Sequence, residues 1–132
     1  MDESFGSRLK HAWNAFMNRS PTIITSVYNR IAMDVAAISI QHVRLDANGR
    51  FLSAMDSGLN RCLTLEANLD QTGRGFVQDI AMSMMDEGVV AIVPVDTTVD
   101  PTVSSSYEIN TMRTGKILEW YPQYVRVRIY ND

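Results

Sequence analysis

"GKILEWYPQYVRVRIYND", residues 115–132, decides the fold. In its second half Val125, Val127 and Ile129 alternate with Arg126, Arg128 and Tyr130. Alternation of that kind reads as a half-buried β-strand, apolar on one face and basic or phenolic on the other. Ahead of it, Lys116 to Trp120 reads as another strand, with Pro122 as the interruption. Strands need neighbours, so the rest of the sequence is read for what pairs with these two and what packs on them.

Working outward, "YEINTMRTGKILEWY" reads as a hairpin turning at Thr114-Gly115. "VVAIVPV", residues 89–95, is apolar on both faces and is expected to be a central strand until Pro94 ends its ladder. The polar loop "DTTVDPTVSSS" separates the two and has no periodicity. Upstream, Thr72 is expected to cap a helix with Phe76, Val77, Ile80, Ala81 and Met84 on its buried face, stopped at Gly88. Leu52, Met55, Leu59, Cys62, Leu63 and Glu66 suggest another helix, weakened by Gly58. Residues 38–46 read as a strand, and "DANG" as a tight turn before Arg50-Phe51-Leu52. Ser20-Pro21 is expected to open a helix that runs to about Ile38 along Ile24, Val27, Tyr28, Ile31 and Val35.

These elements predict an α+β fold, three to four helices packed on one small mixed sheet. That sheet would contain Val89 to Val95 and both arms of the Gly115 hairpin. Ile31, Ile80 and Ile92 are expected to be nearly inaccessible. Residues 1–20 read as an arm ahead of this body of residues 21–132. Its apolar stripe Phe5, Leu9, Trp13 and Phe16 either docks on the chain's own core or forms a subunit interface. Asp86 and Glu87 sit at the negative end of a helix dipole, where acids are disfavoured. Either a cation on a neighbouring chain compensates them, which makes them interface candidates too, or they are two solvated acids tolerated at a small cost.

Composition narrows the function classes. The chain has 132 residues, a hydrophobic fraction of 45% and a net charge of −3, so it suits one folded domain rather than a basic nucleic-acid gripper. Arg126 and Arg128 are the one basic strand face that could touch nucleic acid. No stretch approaches the roughly 20 apolar residues that span a bilayer. One cysteine, Cys62, rules out an internal disulfide. His11 and His42 lie far apart with no metal-ligand spacing, and Gly73 and Gly75 lack the third glycine of a dinucleotide fingerprint. A Cys62–His42 pair is conceivable as catalytic, but Cys62 falls on an apolar stripe. The expectation is a protein that is not an enzyme, with no cofactor and no metal.

The order of parts resembles the N-terminal portion of portal proteins from long-tailed bacteriophages. The helix "SVYNRIAMDVAAI" leads into the strand "SIQHVRLD" and a turn at Gly49. Then come a helix ending "EANLDQT", the helix "GRGFVQDIAMSMMDEG" with Asn68, Thr72 and Phe76 at its approach, and the strand "VVAIVPV" after Gly88. Last comes the pattern Gly115, Ile117, Glu119, Trp120, Pro122, Val125 and Val127. The likeness covers residues 20 to 132, with Ala67 where the family often has proline. It implies a wing-domain segment of a longer structural protein. Such proteins assemble into a homo-oligomeric ring, usually dodecameric, at one capsid vertex. Double-stranded DNA is driven in through it by the terminase and later leaves into the tail. The implied partners are other copies, the major capsid or scaffold protein, the terminase and the head–tail connector. The implied location is the virion, with the host cytoplasm during assembly. The residues alone also allow a small α+β adaptor, complete at this length, that binds a protein partner through the Trp13/Phe16 helix.

Overall fold

The computed structural model describes residues 23–129, and the expected helix of Phe5, Leu9, Trp13 and Phe16 lies outside them. The fold is α+β. In chain order its elements are α1 (Ile23–Ala36), β1 (Val43–Leu45), β2 (Phe51–Ala54), α2 (Gly58–Thr64) and β3 (Glu66–Asn68). β4 (Gln71–Thr72), α3 (Gly73–Glu87), β5 (Ala91–Thr97), β6 (Ile109–Trp120) and β7 (Val125–Ile129) follow. The strands form three separate antiparallel sheets, β1-β2, β3-β4 and β5-β6-β7, rather than the single mixed sheet expected. Each pairing joins strands consecutive in sequence, and such neighbours need only a turn between them, not a crossover.

α3 organises the interior. Thr72 Oγ1 accepts the Gly75 N–H at 3.1 Å, and Gly88 ends the helix at φ 80 with its N–H on the Met84 carbonyl. Only a residue without a Cβ takes that left-handed stop freely, so both ends fall where the sequence places them. Phe76 and Val77 are buried beneath the helix, and Cys62, Ala67, Phe76 and Met112 form the core cluster with Leu59, Ile80 and Ile109 against it. α3 also packs on α1, in which Ala32 and Ala36 are buried. Small residues one helical turn apart let the helix axes approach closely.

Four expectations are corrected. Phe51 to Ala54 is a strand and not the start of a helix. Asp46 Oδ1 accepts the N–H groups of Asn48 and Arg50 at 2.8 and 3.0 Å, and this tight turn folds the chain back onto β1. Local turn chemistry thus outweighs helical spacing, and α2 begins only at Gly58, capped by Ser57. Second, no hairpin turns at Thr114-Gly115. β6 runs unbroken through both, and the turn falls at residues 121–124, where the Tyr121 N–H reaches the Tyr124 carbonyl at 2.9 Å. Third, the "VVAIVPV" strand is at the sheet edge, not its centre. Pro94 lies inside it, which an edge tolerates because one row of N–H groups needs no partner. Fourth, Ile92 is consequently 47% exposed, Ile31 faces outward on α1, and Ile80 is only partly buried.

Candidate functional site

The densest set of polar side chains lies between α3, the β3–β4 turn and the first half of β6. Asn68 is buried and donates from Nδ2 to Gln71 Oε1 at 2.8 Å and to the Met112 carbonyl at 2.9 Å. Its Oδ1 accepts the Asp70 N–H. Gln71 Nε2 donates onward to Asp79 Oδ2, which also accepts from Thr114 Oγ1 at 2.7 Å, while Ser83 donates to Asp79 Oδ1. Beside this chain Arg113, 3% exposed, is paired with Asp70 at 3.0 Å. Arg61 adds a 2.9 Å bond to the Asn110 carbonyl.

Chemically this network is a clamp. Asp79 spends its two oxygens on three donors, and Asn68 uses both amide donors and its acceptor. Satisfied buried networks of this kind fix one register of packed elements against another. Removing a partner leaves a buried donor short of a bond, at about 1–3 kcal/mol for a neutral group. Asp70 is itself exposed, so its pair with Arg113 is not a fully buried one. The sequence pattern Asn68–Thr72–Phe76 acquires a mechanism here: a bridge to β6, a helix cap and a core anchor. Asp79 and Arg113 carry no sequence signal for their place in the network, because the partners that tie each across the fold, Thr114 and Asp70, lie 35 and 43 residues away.

Cys62 and His42 are not hydrogen-bonded to each other. Cys62 Sγ faces the carbonyl oxygens of Ala67 and Asn110, whereas His42 Nδ1 lies 2.7 Å from Ser57 Oγ, the cap of α2. Burial pushes the Cys62 thiol above its ordinary pKa, against the opposing pull of Arg61. A raised thiol pKa and a closed environment both suppress thiolate chemistry. Iodoacetamide at pH 8 is therefore expected to alkylate Cys62 at least about 100-fold more slowly in the native protein than in denaturant. Fast native labelling by mass spectrometry would contradict its place in the core. Among the described residues no cluster of His, Cys, Asp or Glu is arranged to hold a metal ion. Among them, too, no helix is long and apolar enough to cross a membrane.

The other candidates are on the surface. Asp86 and Glu87 end α3 exposed, and for Glu87 a compensating cation comes from within the chain. Lys116 of β6 reaches Glu87 at 3.4 Å. With both side chains about half exposed, such a pair contributes at most about 1 kcal/mol. Arg126 faces Glu119 across the ladder at 3.8 Å, and Arg128 is exposed opposite Lys116, with no ion pair of its own among the described residues. Phe5, Leu9, Trp13 and Phe16 lie outside the described residues, so the structure brings none of them to a site.

Sequence reasoning placed the break between the last two strands at Pro122 but did not single out the aromatic surface of the turn that joins β6 to β7. Trp120 and Tyr124 are 68% and 65% exposed there. Tyr121 and Tyr124 stack with ring centroids 4.5 Å apart, and the Tyr121 hydroxyl donates to the Glu119 carboxylate. That carboxylate holds the Tyr121 phenol above its usual pKa. Three aromatics around Pro122-Gln123 were the available signal, since a turn rich in large aromatics has no core of its own to fill. Also uncovered is an apolar stripe of Ile24, Val27 and Ile31 on α1, beside its packed face. No family model, no curated protein and no solved structure matches this chain.

Proposed function

We propose that this chain is a structural subunit of a phage portal ring, contributing wing-domain surface around the capsid-vertex channel for double-stranded DNA. The observation that carries the reading is the work done by the residues on which the resemblance rests. Asn68 ties the β3–β4 turn to β6, Thr72 and Gly88 delimit α3, and Phe76 fills the core. A motif whose members each hold a particular contact is better support than the same letters in a row. Surface chemistry agrees with a conduit. The net charge is −3, and the arginines of β7 share their face with Glu119. A channel part that must let DNA pass gains nothing from a dense phosphate-binding stripe. In this reading the protein's partners are its own copies, the capsid or scaffold, the terminase and the connector.

Electron microscopy of the full-length product tests it. Closed rings with a central channel are the expected result. A stable monomer that binds one other protein stoichiometrically would establish the adaptor instead.

A further inference from the structure

We infer that neighbouring copies join end to end, the aromatic β6–β7 turn of one receiving the acidic β5–β6 loop of the next. This deepens the ring proposal and rests on it. The two surfaces sit at opposite ends of β6, whose 12 residues span about 40 Å at the rise of an extended strand. One chain cannot bring its own two ends together, so a contact between them joins two copies.

Their chemistries are complementary. Between residues 89 and 112 the charges are Asp96, Asp100 and Glu108, with no Lys or Arg among them. The loop is pre-shaped by its own bonds. Asp100 Oδ1 accepts from the Thr102 N–H and Oγ1 at 2.9 and 2.7 Å, which also holds its carboxyl below the usual pKa. The Thr98 N–H reaches the Glu108 carbonyl at 3.0 Å, and the Glu108 N–H returns to Thr98 Oγ1. On this scaffold Val103 stands 81% exposed, with Val99 also uncovered. At the other end Lys116 and Arg126 are paired with Glu87 and Glu119, and Arg128 adds a further positive charge beside the exposed rings of Trp120 and Tyr124. Aromatic side chains with arginine are the usual energetic centres of protein interfaces, and a projecting valine is the size of residue they enclose. Opposite rim charges would steer the two ends together and weaken with salt. Because the ends differ, the contact is heterologous and repeats from copy to copy until it closes into a ring.

The test uses the full chain in two charge-reversed forms, Arg126→Glu with Arg128→Glu, and Asp96→Lys with Asp100→Lys. Circular dichroism confirms that each still folds. Sedimentation at low salt is expected to show each form associating about tenfold more weakly than the parent, with an equimolar mixture recovering. Separately, Val103→Cys chains mixed with Tyr124→Cys chains should cross-link to each other under mild oxidation, while Val103→Cys chains alone should not. Rings that persist unchanged in both reversed forms, with no cross-link, overturn this contact and leave the ring standing. Open filaments held by the cross-link keep the contact and overturn the ring. A monomer at every concentration and salt overturns both.

Discussion

Phe76→Ala is expected to cost about 3–5 kcal/mol, the largest loss from any single side chain in the described core. The ring is fully buried and touches the elements that otherwise have least reason to stay together: α2 and β3 through Cys62 and Ala67, and β6 through Met112. Its neighbours Ala67 and Cys62 are too small to collapse into the space it leaves. The removed apolar surface and the residual cavity therefore add. Against a total stability on the order of 5–15 kcal/mol for a domain this size, such a loss moves the urea midpoint by about a fifth or more. Phe76→Leu, which keeps most of the volume, should lose less than half as much. An alanine variant within about 1 kcal/mol of the parent would mean that the core lies elsewhere. The comparison with Ile80→Ala is informative, because Ile80 is only partly buried and its loss should be smaller.

Gly58→Ala is the second large effect, and its sign opposes helix propensity. Gly58 opens α2, and alanine is ordinarily favoured over glycine in a helix by about 1 kcal/mol. Here a Cβ would lie 1.8 Å from the Ile109 carbonyl oxygen and 2.8 Å from its carbon. Those are backbone atoms at the start of β6, held by its pairing with β5, so no side chain can swing aside. The helix must lift off the strand or the ladder must break. The Gly58 N–H bond to Glu108 Oε2, 2.7 Å long, would go with it. The expected loss is about 3 kcal/mol or more, at the upper end of overpacking effects. A gain in the thermal midpoint would show that the α2–β6 approach is looser than described.

These two residues mark how far the sequence could be read. α3 was legible at both ends because its stop and start are local. A hydroxyl three residues before an amide and a glycine after the last turn suffice. Phe76 was placed on the buried face by its spacing. Gly58 was read only as a weakness in a helix, since what requires it is a carbonyl 51 positions downstream. Gly115 misled for a related reason. A glycine between two apolar runs looks like a turn, but here the Ile129 side chain passes 3.1 Å from where a Cβ would be, within an unbroken strand. The edge position of β5 was equally hidden. An apolar run looks central until the partner on its far side is known to be missing among the described strands. Of the site residues, Asn68 and Thr72 stood out in sequence, whereas Asp79, Arg113 and the tyrosines of the last turn needed the fold to give them neighbours.

The way β6 is held has a mechanical consequence. Its first half is fastened to the layer formed by α2, the β3–β4 hairpin and α3 through the carbonyls of Asn110 and Met112 and the side chains of Arg113 and Thr114. Beyond these, only the Lys116–Glu87 pair ties the remainder to that layer through a described side-chain bond. The strand is a beam with one built-in end and an overhang stiffened by β7. A load on Trp120 returns to Asn68 and Asp79 as torque, and deflection at the tip grows steeply with the length of the overhang. Removing one cross-strand pair from the tip should thus stiffen it out of proportion to the two residues lost, while leaving the anchoring network untouched.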